Sequence, residues 1–268
     1  MSELIQSLWV GKSLSNLEHL SIQSFLDNGF IYHLYTYGPV HNVPAGAIIK
    51  DGNTIVPENL IFTYKNGSLA AFSNYFRFTL LDKIGGYWAD TDIICVKNFQ
   101  LKQPYVFVSQ PDPDYKNNNA ISSYLIKLPP NSEASREAVR IQQEHRELII
   151  TGEIQYCSGN MTTHDIVNKF KLHDFVLNWK VFATCCWEDV ESLLNPDYIA
   201  NEQITSQYEE IPKETLGIHF WNERWRQKTL NKNGIFHQDS IYEIFKSKHG
   251  IKPSFIEKQL IRAKKIFS

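Results

Sequence analysis

The chain is short of several things, and each shortage removes a class of protein. It has only four cysteines in 268 residues: Cys95, Cys157, Cys185 and Cys186. No two are spaced as CxxC, which excludes a zinc ribbon and a thioredoxin-like redox centre. So few in a chain this long suit a reducing compartment. No apolar run approaches the roughly 20 residues that a membrane-spanning helix needs. The first residues, MSELIQSLWVGKSLSN, have neither the basic start nor the long apolar stretch of a signal peptide. The expected location is therefore cytoplasmic. Net charge is only -2, which gives no whole-protein field to draw in nucleic acid. No Walker GxxxxGK[ST] sequence and no kinase motif set occurs. No internal repeat or low-complexity linker forces a division. Residues 1–268 read as one domain, with 239–268 a helical C-terminal extension.

What is present is ordinary in bulk and specific in places. The composition is 43% hydrophobic and 21% charged, as in a soluble globular protein. Aromatics reach 13%, which serves a large core or the lining of a ligand cleft. Residues 4–10 form a short apolar run ending at Gly11, a buried strand. Ser15 and Glu18 then have the spacing of a helix start, with Leu17, Leu20, Ile22, Phe25 and Leu26 for a buried face and Gly29 as a stop. Residues 30–38 are rich in β-formers, and Gly38-Pro39 ends them. Strand, helix, strand within 38 residues predicts an α/β fold with a parallel sheet. Further along, 39–66 read as loops and short elements. Residues 68–84 read as a helix closed by Gly85-Gly86, and 87–90, 93–96, 105–109 and 180–187 as strands. Residues 110–119 read as a surface loop, and 132–150 and 164–172 as helices.

Asp90-Thr91-Asp92 is the sharpest feature. On an extended chain, side chains two residues apart point the same way. Like charges that close repel unless a cation lies between them. The flanking stretches are apolar, so the pair sits where a charge needs a reason. Hard divalent cations take oxygen ligands, and Mg²⁺ commonly uses one or two carboxylates together with substrate phosphates. Mn²⁺ suits the same set. A D-x-D triplet alone is common in solvated turns, so its context has to carry the reading. Gly85-Gly86 gives a tight turn where backbone passes close to a ligand or to another element. Arg77, inside an otherwise apolar helix, needs an anionic partner. That partner is either a phosphate or sugar group of a ligand, or a carboxylate that locks helix to sheet.

The run Ser73-Asn74-Tyr75-Phe76-Arg77, Leu80-Leu81, Gly85-Gly86 and Asp90-Thr91-Asp92 resembles the DXD-containing sugar transferases. That family includes capsular-polysaccharide, mannosyl and galactosyl transferases and, more distantly, the large clostridial glucosylating toxins. Its pattern is roughly S-D-x-x-R, an aliphatic pair, then G-G-x-Y-x-D-x-D. The chain departs from it at Asn74, where the family has an Asp that binds donor sugar hydroxyls, and at Trp88 and Ala89. Looser matches follow. Leu8-Trp9-Val10-Gly11 resembles an opening strand whose Trp stacks on the nucleotide base; a core Trp is the other reading. Gln6 stands where that strand has His. Asn118-Asn119-Ala120 resembles a return to the donor cleft. Ser158-Gly159-Asn160 resembles an acceptor-side segment, with Asn for Pro. Gly217-Ile218-His219-Phe220-Trp221-Asn222 resembles a C-terminal A-x-H-x-W motif whose His closes over diphosphate and metal; a satisfied structural His is the alternative.

The resemblance implies a GT-A-type fold, a mixed and mainly parallel sheet flanked by helices. It implies Mn²⁺ or Mg²⁺ as cofactor and a nucleotide-diphospho-sugar, UDP-linked, as donor. The acceptor would be a saccharide or a lipid-linked one, and transfer would retain the anomeric configuration. It assigns Asp92, Asp90 and His219 to the metal. Trp9, Val10, Asn74, Arg77, Asp90, Thr91, His219 and Trp221 would line the donor site, and Arg77, Asp90 and Asp92 would act in catalysis. Two rivals stay open at this level: a metal-dependent phosphohydrolase, and a nucleotide-sugar-binding module without turnover, for which Asn74 speaks. The basic tail 256–268 reads either as a packing helix or as a peripheral contact with an anionic membrane.

Overall fold

The computed structural model describes residues 2–111, 120–197 and 211–251. The expected opening is present. Strand β1 (Leu4–Trp9) is followed by helix α1 (Asn16–Asp27) and strand β2 (Ile31–Thr36). Ser15 and Glu18 form a reciprocal capping box at the start of α1, which satisfies two of its otherwise orphaned N–H groups. Gly29 ends the helix with φ +82°, a conformation that other residues adopt only with strain. Strand β3 (Ile48–Asp51) lies in the stretch expected to hold short elements. Then come α2 (Ala70–Lys83), β4 (Gly86–Ala89), β5 (Ile93–Cys95), β6 (Val106–Ser109), β7 (Ile121–Leu128), α3 (Glu133–Thr151), α4 (Gly159–Lys169), β8 (Val176–Leu177), β9 (Gly217–His219), α5 (Asn222–Gln227) and α6 (Ile241–Lys248).

Seven strands form one sheet in the order β3-β2-β1-β4-β7-β6-β8, and β5 and β9 form a separate pair. All main-sheet pairs are parallel except those made by β7, which runs against both β4 and β6. The expected mixed, mainly parallel sheet is therefore the one found. Alternation along the strands sends Tyr87 and Ala89 to one face and Trp88 to the other. The first face is covered by α1, α6 and the segment 179–194, the second by α2, α3 and α4. A sheet buried on both faces is the α/β solution to covering two apolar surfaces.

Two expectations change, and one strand was not expected at all. Residues 180–187 are not a strand: Trp179–Val181 is a single 3-10 turn, capped by the Asn178 side chain, and another 3-10 segment begins at Trp187. The apolar run reflects burial of Phe182, Ala183, Cys185 and Cys186 beneath the sheet, not ladder pairing; burial and strand pairing leave the same apolar trace. The helix expected over 164–172 begins earlier, at Gly159, where Ser158 accepts the N–H of Met161. The longest strand, β7, carries Ser122, Ser123 and Lys127 and has no clean period, so the sequence does not announce it. Its serines are held instead by side-chain partners: Ser122 Oγ donates to Gln110 Oε1 at 2.9 Å and the Ser123 N–H to Asn160 Oδ1 at 2.9 Å.

Helix α6 falls in the expected extension but is no appendage, since Ile241, Tyr242 and Phe245 are part of the core. The tail 256–268, and most of the 110–119 loop, lie outside the described residues. Among the described residues no helix is long and apolar enough to cross a membrane. All four cysteines are buried free thiols.

Candidate active site

In this sheet β1 leads outward to β2 on one side, while β4 lies on the other. Parallel α/β sheets bind ligands outside the carboxyl ends of their strands at such a switch point. Two of the expected residues lie there by construction. Trp9 closes β1, and Asp90 follows the last residue of β4. Ser7 Oγ donates to the Ala89 carbonyl at 2.5 Å, joining the two strand ends.

The acidic pair is brought together differently from the expected pleat. The Asp90 N–H still donates to Tyr124 O on β7 at 2.8 Å, but the Ile93 N–H returns to Asp90 O at 3.3 Å. Asp90-Thr91-Asp92 is thus a tight turn between β4 and β5, with Thr91 half-buried at its tip. Beyond it, β5 pairs antiparallel with β9, which sets Ile93 opposite His219. The Phe220 N–H donates to Asp92 O at 2.9 Å, and the Asn222 N–H to Asp92 Oδ2 at 2.7 Å, across 130 positions of sequence. His219 Nε2 comes within 3.3 Å of the same oxygen. One ligand atom from each of Asp90, Asp92 and His219 falls within 4.8 Å of the others.

Each carboxylate has its own supports. Asp90 Oδ1 accepts Arg77 Nη2 at 2.6 Å and Trp88 Nε1 at 2.7 Å. The guanidinium also lies over the Trp88 ring, 4.9 Å from its centre. The partner that Arg77 needs is therefore a carboxylate of the chain itself. Burial pushes the Asp90 carboxyl up, against the pull of Arg77, and the neighbouring Asp92 charge adds to the rise. At Asp92 burial also pushes upward, but His219, the Asn222 N–H and Lys232 together outweigh it and hold the group below the usual range. Two adjacent acids with opposite shifts can share a site that two equal anions would not tolerate.

His219 is held between two tilted aromatic rings. Its ring lies 4.3 Å from that of Tyr124 and 3.9 Å from that of Trp221. Trp221 is itself buried, and its indole N–H donates to Cys185 O at 3.2 Å. Its φ of +51° is left-handed, which costs a bulky residue about 1 kcal/mol or more. That strain sits where the chain turns from β9 into α5 and delivers the Asn222 N–H to Asp92. Glu18, expected only as a helix cap, is buried and also accepts Lys232 Nζ at 2.7 Å and Asn222 Nδ2 at 3.3 Å.

Among the described residues, several polar atoms here are buried with no hydrogen-bond partner: Asp92 Oδ1, His219 Nδ1, Arg77 Nε and Nη1, and Trp9 Nε1. Leaving such atoms unsatisfied is unfavourable, and more so for charged groups. Two carboxylates and an imidazole, with an open carboxylate oxygen, are a donor set that fits a divalent cation.

The remaining expected residues are placed as follows. Val10 is half-buried just past β1. Asn74, one helical turn before Arg77, is almost fully buried and faces the start of α4; a Cβ on Gly159 would lie 2.6 Å from its Oδ1. Asn160 is structural, since its Nδ2 donates to Gln110 Oε1 at 2.6 Å and its Oδ1 holds β7. Gln6 is structural too, donating to Gly85 O at 2.8 Å. The close approach at Gly85 is to another element: an added Cβ would meet Pro130 Cδ at 2.5 Å. Asn118 and Asn119 lie outside the described residues. Sequence reasoning missed Tyr124 and Lys232 and the second role of Glu18. No spacing signals them; only the fold brings them here.

A family model described as "Capsular polysaccharide synthesis protein" matches residues 53–263. The chain belongs to the capsular polysaccharide synthesis protein family. Its matched part includes Asn74, Arg77, Asp90, Asp92, His219 and Trp221, and the resemblance to sugar transferases of the capsular-polysaccharide type is borne out. No curated protein matches this family member. Among solved structures it is similar to "PaToxG Glycosyltransferase", with 16% identity, 63% of this chain and 70% of that chain covered, and a TM-score of 0.47. It is also similar to the glycosyltransferase domain of the YGT toxin. The ligand-free form shares 11% identity over 98% of this chain and 88% of that one, with a TM-score of 0.40. The UDP-bound form shares 10% over the same fractions, with a TM-score of 0.39.

Proposed function

We propose that the chain transfers a sugar from a nucleotide-diphospho-sugar, UDP-linked, to a saccharide or lipid-linked acceptor in surface polysaccharide synthesis. The observation that carries this reading is the convergence of Asp90, Asp92 and His219 at the switch point of the sheet, in a chain of this family. Asp92, Asp90 and His219 would hold Mn²⁺ or Mg²⁺. Such a cation supplies positive charge against the two phosphates of a leaving nucleoside diphosphate.

The chain's own residues do the rest. Asp92, kept ionised by His219, Asn222 and Lys232, supplies the anchoring carboxylate. Asp90, oriented by Arg77 and Trp88, leaves its second oxygen for the cation or for a hydroxyl of the donor. Arg77 acts through Asp90 and is a positioning residue in this scheme. Lys232, about a quarter exposed and paired with Glu18, lies near enough to Asp92 to add positive charge where the diphosphate departs. Trp9 and Val10 at the end of β1 offer a surface for the nucleotide, and Asn74 can donate to or accept from a sugar hydroxyl. In the retaining course the departing phosphate oxygen takes the acceptor's proton.

The test is a screen of UDP- and GDP-sugars with Mn²⁺, read as slow hydrolysis of the donor and then as transfer. Hydrolysis of one donor, stopped by EDTA and restored by Mn²⁺, is the expected result. Phosphate release from simple phosphate esters would favour a phosphohydrolase instead. Calorimetric binding of a UDP-sugar with neither hydrolysis nor transfer would favour a binding module.

A further inference from the structure

Tyr156 is the most exposed large hydrophobic side chain among the described residues, at 68% of its surface. It is not loose. Its ring stacks on Tyr64, with centres 5.7 Å apart and planes 30° from parallel. Tyr64 is buried, its hydroxyl donates to the Cys157 carbonyl, and the Cys157 N–H donates back to that hydroxyl at 3.2 Å. The lower ring is thus tied to the backbone next to the upper one. Ser158, two residues on, caps α4 by accepting the Met161 N–H. The outcome is a flat aromatic face, open to solvent and held rigid from behind.

Its place matters more than its exposure. Three residues on, Gly159 abuts Asn74 and Ser123, and Asn74 stands one turn from the Arg77 that holds Asp90. On the other side, the Glu223 carboxylate is close enough to raise the Tyr156 phenol, behind the larger effect of burial. Glu223 directly follows Asn222, whose N–H holds Asp92. Tyr156 therefore lies just before α4, whose first residue abuts Asn74 on the helix that carries Arg77.

We infer that Tyr156, backed by Tyr64, is the acceptor platform of this site, on which the terminal pyranose ring of a saccharide stacks. The inference rests on the sugar-transfer reading. A pyranose presents an apolar C–H face and a hydroxyl rim. An aromatic face buries the first at low entropic cost, because a side chain already locked has little freedom to lose. Ser158, two residues along the chain, and Glu223, whose charge reaches the ring, are groups that bond hydroxyls. Those neighbours do not suit an acyl chain, and the Glu223 carboxylate opposes an anionic bilayer.

The experiment uses the full chain with UDP and Mn²⁺ and methyl glycosides of glucose, galactose, mannose and N-acetylglucosamine in both anomers. Saturation-transfer NMR reads which glycoside binds and through which protons. One glycoside should bind through the C–H face of its ring. Tyr156→Ala should weaken that binding roughly tenfold, the order of a single aromatic contact, with unchanged melting, and Tyr156→Phe should restore it. Binding that is equal in Tyr156→Ala, or no binding of any glycoside to the wild type, overturns the platform. Calorimetry of UDP on the wild type reports the donor site separately. Saccharide binding that depends on Tyr156 in a chain that takes no UDP would sink the transferase reading and leave the platform standing.

Discussion

The two halves of the acidic centre are built on different principles. Asp90 and its support Arg77 lie 13 positions apart, Arg77 on a helix and Asp90 just past the strand that follows it. A single turn at Gly85-Gly86 suffices to bring them together. Asp92 and its support Asn222 are separated by 130 positions, with His219 nearly as far, and they meet because β9 pairs with β5. The first half is a local lock, neutralised in place by a guanidinium. The second depends on that long-range pairing and, among the described residues, leaves Asp92 Oδ1 and His219 Nδ1 buried without partners, as the first leaves Arg77 Nε and Nη1. Each carboxylate is held through one oxygen and leaves the other open, but Asp90 is held by its near neighbours in sequence and Asp92 by a distant strand and turn.

The largest effect expected from that division is on activity at the long-range half. Asp92→Asn should lower transfer roughly a thousandfold, since cation-assisted charge stabilisation is worth several kcal/mol. Melting should change little, because Asn can still accept the Asn222 N–H. Near-normal turnover in this variant would erase the distinction between the halves.

Arg77→Ala tests the locked half. Removing one partner of a largely buried ion pair leaves the other unpaired. With the Asp90 side chain 30% exposed, a loss of about 3 kcal/mol in chemical denaturation is expected. The double variant Arg77→Met/Asp90→Leu should recover part of that stability and none of the activity. A stable, active Arg77→Ala protein would show that Arg77 is not what holds Asp90.

How much of this was legible follows the same division. The capping box at Ser15 and Glu18, the helix carrying Asn74 and Arg77, and the Gly85-Gly86 turn are local signals, and each forms the expected element. Arg77 was legible as a charge needing an anion, though which anion depended on the turn geometry. His219 was reached through its resemblance to a motif, since nothing local says that residues 217–219 pair with 93–95. Tyr124 was missed because Ser122, Ser123 and Lys127 hide the strand that carries it. The strand expected at 180–187 was core packing, which leaves the same apolar trace. Asp90 and Asp92 do share a side, but through a turn rather than a pleat.

A smaller effect is expected at His219. His219→Ala should weaken Mn²⁺ binding by at least roughly 10–100-fold, the range for removing even a group that only supports a metal ligand, read by titration with EPR detection. An unchanged affinity would make the imidazole a purely structural neighbour of Asp92.

The smallest effect belongs to neither half and serves as a control. Glu137 on α3 accepts from Arg140 and Lys169, and those bonds hold its carboxyl down at about 2. A carboxyl depressed in the folded state contributes fully above its unfolded value near 4.5 and loses that contribution as pH falls toward 2. The pairs are surface ones, so Glu137→Gln should cost under about 1 kcal/mol at pH 7. The difference from wild type should vanish by about pH 2, with transfer unchanged throughout.

The central claim is that Asp92 anchors a divalent cation beside a nucleoside diphosphate. Calorimetric titration of Mn²⁺ into the purified chain, with and without UDP, in wild type and Asp92→Asn, tests it most directly. The account predicts one ion bound by the wild type, more tightly with UDP present, and no measurable binding to the variant. Equal binding in both proteins, or none in either, would contradict it.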